Sequence, residues 1–388
     1  MASNSKHRGG EQTGLSASTR QGFRAQLLAW FDEHQRQLPW RHVEDAYAVW
    51  VSEIMLQQTQ VATVIDYFER WMERFPTVEA LAIAEVEEVL EMWSGLGYYR
   101  RARYLHRAAG VVVDAHAGAL PETVSELKAL PGIGPYTAGA IASIAFGQPE
   151  PLVDGNVMRV LSRVDAIEGD PKRAPAKGYI WGLAAELVDS QRPGDFNQAL
   201  MELGSQICTP GDPKCSICPV RPWCKGFSTG APEQFPSPGR VIKQRPMRAR
   251  SCVVYTEREG KRWFLLRRRP ARGLLGGLWE FPSCEREGKS WPVINDLGKC
   301  LAPALGEEVT ATELGRTLGT IEHVFSHRRL KLRVHDLRVP EISSKEWGDE
   351  PKNKEDNDRW RWVAEDELSA VASAALLGKV ERVWRSQR

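Results

Sequence analysis

Leu130-Pro-Gly-Ile-Gly-Pro-Tyr-Thr-Ala-Gly-Ala-Ile141 is the stretch whose reading decides the architecture. Two glycines flank a single apolar residue, which lets a backbone turn sharply between two helices. The proline after Gly134 suits a first helical position, and Thr137-Ala138 opens an apolar helix. Amides at such a turn and at the following helix N-terminus suit a phosphate, and the helix dipole favours the negative charge. Gly-x-Gly alone would equally serve an ordinary turn between helices. The extended pattern reads as a helix-hairpin-helix element that grips a DNA backbone, where missing side chains at Gly132 and Gly134 permit close approach.

The hairpin sits in a long helical region. Phe23, Leu27, Trp30 and Phe31 recur at helical spacing. So do Tyr47, Trp50, Val51 and Ile54; Val61, Val64, Ile65 and Phe68; Val86, Val89 and Leu90; Val157, Val160 and Leu161; and Phe196, Leu200 and Leu203. Phe75-Pro76, Ser94-Gly95 and Arg192-Pro193-Gly194 punctuate them. Twenty positions after Gly134, Asp154 stands where a helix begins, in Val153-Asp-Gly-Asn-Val157. Capping is its ordinary role. A carboxylate beside a phosphate-gripping hairpin could also stabilise positive charge on a sugar.

Cys208, Cys215, Cys218 and Cys224 close the helical region with gaps of six, two and five residues. Four thiolates this near one another can hold zinc or a cuboidal iron–sulfur cluster, and the spacing alone leaves both open. Cys252, Cys284 and Cys300 are scattered and read as packing residues. Beyond the cluster the character changes. Residues 228–247 are rich in Pro, Gly and Ser and read as a linker. Strand patterns follow in Ser251-Cys-Val-Val-Tyr-Thr, Arg262-Trp-Phe-Leu-Leu-Arg, Leu330-Lys-Leu-Arg-Val-His and Arg361-Trp-Val, and a helical period returns at Leu377, Val380, Val383 and Trp384. The predicted organisation is a disordered lead over 1–20, an all-α domain over 21–227, the linker, and an α+β domain over 248–388.

Length and composition agree. The chain has 388 residues, 42% hydrophobic and 26% charged, which suits two or three soluble globular domains. No apolar run reaches the roughly 18 residues of a membrane span. The opening Met-Ala-Ser-Asn-Ser-Lys lacks the apolar core of a secretion signal. With an odd count of seven cysteines this points to a reducing, cytoplasmic setting. A net charge of +2 does not announce a nucleic-acid binder. Local patterning says more: Arg100, Arg101, Arg103 and Arg107 interleave with Tyr98, Tyr99 and Tyr104, and Arg240 to Arg250 carries five basic residues, whereas Glu346 to Asp358 is mostly acidic.

Together the hairpin, the aspartate and the C-x6-C-x2-C-x5-C spacing resemble the endonuclease III superfamily of DNA glycosylases. Trp50-Val-Ser-Glu-Ile-Met-Leu-Gln-Gln-Thr-Gln-Val61, Gly95-Leu-Gly-Tyr-Tyr-Arg100 and Val153-Asp-Gly-Asn-Val-Met-Arg-Val160 narrow the resemblance to the adenine DNA glycosylase (MutY) family. Gly276-Gly-Leu-Trp-Glu-Phe-Pro282 and Glu322-His-Val-Phe-Ser-His327 resemble that family's Nudix-like second domain. The resemblance spans nearly the whole chain after the lead.

It implies excision of adenine misincorporated opposite 8-oxoguanine in double-stranded DNA, by a monomer carrying one [4Fe–4S] cluster on the four cysteines. Glu53 would protonate adenine N7 and later activate water; Asp154 would stabilise the sugar cation, with Asn156 and Tyr136 beside them. Arg36, Trp40, Arg41, Leu56 and Gln198 match the family's adenine pocket. Gln57, Gln58, Thr59 and Tyr98, with Gly132 and Gly134, match its DNA and lesion contacts, and Gln58 and Tyr98 look like wedges that fill the gap left by a flipped base. Phe325, Ser326 and His327 match its 8-oxoguanine loop. Superfamily members with lyase activity carry Lys where this chain has Tyr136, so glycosylase activity alone is expected. Glu280, Glu285 and Glu287 do not form the Glu-rich Mg²⁺-binding run of a working Nudix hydrolase. The competing readings are a thymine or oxidised-pyrimidine glycosylase of the same superfamily, and a non-catalytic iron–sulfur damage sensor.

Overall fold

The structure, a computed structural model, describes residues 15–41, 43, 45–237, 243–270, 273–306, 309–340 and 359–387. Twelve helices precede the first strand among them: α1 (Ala17–His34), α2 (Ala46–Leu56), α3 (Val61–Arg74), α4 (Val78–Ala82), α5 (Val86–Met92), α6 (Arg100–His116), α7 (Val124–Leu127), α8 (Pro135–Ile144), α9 (Gly155–Val164), α10 (Ala176–Leu187), α11 (Pro193–Gln206) and α12 (Lys225–Ser228). Seven strands follow: β1 (Arg245–Arg258), β2 (Lys261–Arg268), β3 (Trp279–Glu280), β4 (Ser283–Glu287), β5 (Gly319–Val324), β6 (Arg328–Arg338) and β7 (Trp360–Ala364). Among the described residues, α13 (Ile294–Leu305) lies between β4 and β5, and α14 (Ala375–Arg385) follows β7. No helix among the described residues is long and apolar enough to cross a membrane.

The described residues of Met1–Ile83 and Tyr104–Arg240 make one compact unit, and those of Ala84–Arg103 and Val241–Arg388 make the other. In the first unit α1, α9, α10 and α11 close a core of Phe23, Leu27, Phe31, Val160, Leu183 and Phe196. From Tyr47 to Met55 every residue of α2 is buried, so this helix has no solvent face and packs against α3 and α8. The hairpin joins α7 to α8. Ile133, the apolar residue between the two glycines, is buried with Leu127 and Leu130 and anchors the turn. Gly132 has φ +82, and a Cβ there would stand 2.5 Å from that of Tyr104. Gly134 caps α8 with no side-chain bond to its first amides, and a Cβ at that position would meet nothing within 4 Å. The helix end is therefore open on the side where a phosphate would approach.

In the second unit the sheet runs β3-β2-β1-β6-β5, with β4 also on β1 and β7 on β2. Among the described strands β1 and β6 pair in parallel and the other pairs are antiparallel. From Ser251 to Thr256, β1 is buried without alternation, because α14 covers one face of the sheet and α13 the other. Val253 and Tyr255 face Leu377, Val380 and Trp384; Cys252 and Val254 face Leu297 and Leu301.

Several boundaries expected from the sequence are corrected. The sequence predicts a disordered lead to residue 20, but α1 begins at Ala17, where the Ser16 side chain accepts from the Thr19 amide. Residues 1–14 lie outside the described residues, as does the acidic run from 346 to 358. The linker is docked over its first part: the Arg163 guanidinium donates to Phe235 O at 2.9 Å, and the Gly169 amide to Ser237 Oγ at 3.3 Å. Strand pairing starts at Arg245 rather than 248. The largest correction is Ala84–Arg103, read as part of the helical domain from its period. It belongs to the second unit because its polar groups bond there. Ser94 Oγ and Tyr99 OH donate to Ser373 O at 3.0 and 2.6 Å, Arg103 donates to Gly276 O at 2.6 Å, and Glu87 pairs with Arg268. Periodicity reports that a helix has an apolar face and says nothing about what covers it.

Gly139 on α8 would place a Cβ 2.2 Å from Pro151 O, whereas Gly178, on the exposed side of α10, has open space. Gly139→Ala should lower unfolding free energy by about 2 kcal/mol through overpacking. Gly178→Ala should raise it by about 0.5–1 kcal/mol through helix propensity. Urea denaturation of the two variants checks both signs.

Candidate active site

Burying α2 on all sides buries Glu53 with it, at 4% exposure. The hairpin fixes the start of α8, and Tyr136 in its first turn donates its hydroxyl to Glu53 Oε2. The same hydroxyl lies 3.4 Å from Met201 Sδ. Desolvation pushes the Glu53 carboxyl up to about 7; the Tyr136 bond pulls against this, and the nearby charge of Asp154 adds to it. The Tyr136 phenol is held well above its ordinary value, by burial first and then by the two carboxylates.

Asp154 caps α9. Its Oδ1 accepts from the Val157 amide at 2.7 Å and its Oδ2 from Asn156 Nδ2 at 2.9 Å. Burial raises this carboxyl too, while those bonds and the charge of Arg159 oppose the rise. The two carboxyls therefore sit in unlike settings. Glu53 has one neutral donor; Asp154 has a helix N-terminus, an amide side chain and a cation. Close packing holds the second arrangement, since a Cβ on Gly204 of α11 would come within 2.6 Å of the Asn156 Cβ.

Arg159 carries no site signal in the sequence beyond its place in the Val153–Val160 motif, and it ties this end of the site together. Its guanidinium donates to Asn156 Oδ1 at 2.8 Å, Gly204 O at 2.7 Å and Cys208 O at 2.7 Å. Arg163, one turn further along α9, is 2% exposed and donates to Cys208 Sγ at 3.3 Å, Thr209 O at 2.7 Å and Pro210 O at 3.0 Å. A buried cation among carbonyls and a thiol has no sequence signal beyond its helical position.

Folding brings Cys208, Cys215, Cys218 and Cys224 to one cavity, lined also by Val160, Arg163, Leu203, Ile207, Val220 and Phe227. Burial pushes Cys218 up to about 12 and raises Cys215 and Cys224, with the neighbouring thiols adding to the effect. Cys224 Sγ accepts from the Phe227 amide at 3.4 Å. The donor set is four soft sulfurs in a mostly apolar cavity with N–H groups aimed at two of them, which fits a thiolate-held metal centre. Among the described residues, no group of three or more His, Cys, Asp or Glu is gathered about a point for a single metal ion.

The remaining expected residues fall into separate groups. Arg36 and Arg41 both engage Glu202 of α11, whose side chain is fully buried: Arg36 donates through Nε at 3.0 Å and through its main-chain amide at 2.9 Å, and Arg41 through its guanidinium. Trp40 is buried edge-on against Phe68, with ring centroids 5.4 Å apart. Leu56 ends α2 half-buried, and Gln198 is half-buried on α11. Sequence reasoning missed Glu202, the counter-charge of both arginines. Gln57 Nε2 donates to Thr137 Oγ1 at 3.2 Å, and the Thr59 amide bonds Leu56 O at 3.2 Å. Gln58 is exposed with φ +59, a strained backbone for a residue of this type.

The second unit holds the other group. Tyr98 has φ +50 and is 47% exposed. Its hydroxyl is 2.6 Å from Ser326 Oγ. Phe325, Ser326 and His327 form the β5–β6 turn, in which the Phe325 amide bonds Arg328 O at 2.8 Å. The phenyl ring packs against His323 at 4.5 Å, leaving Ser326 and His327 exposed. The basic face expected around Arg100–Arg107 is thinner than its composition. Arg101 donates to Leu96 O and Gly97 O, and Arg103 to Gly276 O. Glu280 pairs with Arg267 and Arg269, Glu285 with Arg269, and Glu287 with Arg328. These carboxylates are already neutralised by guanidinium groups.

A model of the HhH-GPD superfamily base excision DNA repair protein matches residues 51–185, and a NUDIX domain model matches residues 252–381. The adenine DNA glycosylase of Homo sapiens is 41% identical over 420 residues, covering 94% of this chain and 74% of that protein. That of Schizosaccharomyces pombe is 36% identical, covering 91% and 87%. Among solved structures, a thermostable thymine-DNA glycosylase aligns with TM-score 0.51 and 28% identity, over 55% of this chain and 98% of that one.

Replacing Glu202 by Leu should cost about 3 kcal/mol or more, because it strands Arg41 buried without its counter-charge. A fall in the urea midpoint measures it.

Proposed function

The chain belongs to the adenine DNA glycosylase family of base-excision-repair enzymes, and we propose that its substrate is adenine paired with 8-oxoguanine or guanine in double-stranded DNA, cleaved by hydrolysis alone. The observation that carries the mechanism is Glu53: a buried carboxyl with its pKa near 7, touched by Tyr136 and within the field of Asp154.

An adenine rotated out of the duplex meets a carboxylic acid that keeps its proton at neutral pH. Glu53 gives that proton to N7, and the C1′–N9 bond breaks with its electrons going to the base. The sugar becomes an oxocarbenium-like cation, which the Asp154 carboxylate stabilises. Glu53, now ionised, takes a proton from water as the water adds to C1′. The products are adenine and an abasic site, and Glu53 is protonated again. Tyr136 orients the acid through its hydrogen bond. It has no amine, so no Schiff base forms with the sugar.

For the lesion strand we assign Gln58 and Tyr98 as wedges and the Phe325-Ser326-His327 turn as the reader of 8-oxoguanine. The exposed hydroxyl and imidazole, and the Tyr98 contact to Ser326, support this. We assign a [4Fe–4S] cluster to Cys208, Cys215, Cys218 and Cys224. When bound it supplies a rigid, charged tie for the loop that Arg163 already organises. The pairing of Glu280, Glu285 and Glu287 with arginines supports a recognition role, rather than pyrophosphate hydrolysis, for the C-terminal domain.

Single-turnover excision on an 8-oxoguanine:A duplex tests the chemistry. Glu53→Gln should lower the rate about 10³-fold or more. In the unaltered enzyme the acid is needed protonated, so the rate should fall as pH rises through about 7. The Tyr136 bond lowers that value, so Tyr136→Phe should move the alkaline limb to higher pH; a limb that stays in place overturns the assignment. Borohydride added to the same reactions should trap no covalent adduct.

Replacing Phe325 and His327 together by Ala should bring the rates on 8-oxoguanine:A and G:A closer together. An unchanged ratio in a folded variant removes the turn from lesion recognition.

A further inference from the structure

Arg103 of α6 and the turn between β2 and β3 line a cavity of about 370 Å³. Its wall carries four guanidinium groups, those of Arg103, Arg268, Arg269 and Arg359. Among the described residues no carboxylate lines it; Val86, Pro270 and Gly277 complete the wall. Every one of these residues belongs to the second unit, and none is shared with the Glu53 site or the Phe325–His327 turn.

The arginines are anchored. Arg268 pairs with Glu87, and its Nε donates to Gly277 O at 3.3 Å. Its main-chain amide donates to Arg359 O at 2.8 Å, which sets Arg359 beside it. Arg269 donates through Nη1 to Glu280 Oε2 at 2.7 Å and Glu285 Oε1 at 2.6 Å, and through Nε to Leu274 O at 2.9 Å. Arg103 donates through Nη2 to Gly276 O at 2.6 Å. Gly277 makes room for it: φ is +69, and a Cβ there would stand 2.2 Å from that nitrogen. A guanidinium has five N–H donors. The bonds just named use two on Arg268 and three on Arg269, which leaves donors on both for a bound anion. Burial, and then the charge of Arg268, hold the Arg103 guanidinium below its ordinary value, against Glu87. Two cations thus crowd a partly desolvated space, and an anion placed there relieves both.

We propose that this cavity binds the adjoining phosphate groups of a small oligophosphate, either inorganic pyrophosphate or the phosphate tail of a nucleotide. Planar guanidinium groups match phosphate oxygens two at a time. Four of them exceed what one orthophosphate can engage. A concave space of this size suits a small molecule better than the convex backbone of a duplex. Side chains already fixed by their own hydrogen bonds lose little freedom when the ligand arrives. The site binds and adds no chemical step to the excision reaction.

Titration calorimetry of the full chain with pyrophosphate, in a buffer free of phosphate, tests this. One equivalent should bind, and orthophosphate should bind about tenfold more weakly or worse. Arg359 is exposed, so Arg359→Ala leaves the fold intact. It should weaken pyrophosphate binding about tenfold, as should Arg268→Gln. A parallel titration with ADP separates the two sources. Tighter binding than pyrophosphate identifies a nucleotide as the ligand, and equal or weaker binding identifies the inorganic anion. No binding of either ligand overturns the proposal, as does undiminished binding by both variants. An undamaged duplex should bind the unaltered chain and Arg359→Ala equally. A loss of duplex affinity as large as the loss for pyrophosphate assigns the cavity to a DNA backbone phosphate and also overturns it.

Discussion

The proposed chemistry depends on one carboxyl being taken out of water. Glu53 lies within nine consecutive buried residues of α2, and a helix without a solvent face must be covered on every side. Covering it is the task of α3 and α8, and α8 is aimed by the glycine turn before it. The hairpin thus serves two ends at once. Its backbone presents an uncapped helix terminus outward, and its first helical turn sends Tyr136 inward to the acid. A glycine pattern that looks like a DNA-binding device alone is also what assembles the site.

The second dependence is the inequality of two neighbouring carboxyls. Burial raises both, but the opposing contacts differ in number and kind. Glu53 receives a single phenol, which leaves its proton in place near neutrality. Asp154 receives a main-chain amide, the Asn156 side chain and the charge of Arg159. Environment, rather than residue type, sets the two carboxyls apart, which is what the roles proposed for them above require.

Much of this was legible in the residues. Helical period located α1, α2, α3, α9 and α11, and turn chemistry located the hairpin, because both are local. The alternating and continuous apolar runs located β1, β2, β6 and β7. What escaped was whatever depends on a distant partner. Ala84–Arg103 has the period of a helical domain and the hydrogen bonds of the other unit. Arg101 and Arg103 read as a cationic surface, yet they spend their donors on carbonyls. Glu202 carried no motif, although it neutralises two arginines that did. A linear chain announces what its own neighbours determine, and contacts closed by folding appear only afterwards.

Arg159 has a consequence for how damage to this protein would present itself. One guanidinium spans the Asn156 amide, the carbonyl of Gly204 and the carbonyl of Cys208. It acts as a strut between the cysteine loop and Asn156, whose amide bonds the Asp154 carboxylate. Loosening the loop would release one end of the strut and let the aspartate's supports drift. A fault in the cysteine loop would then reach the carboxylate proposed above to stabilise the sugar. Variants around the cysteines therefore belong in the same class as variants of the two carboxyls proposed above as catalytic.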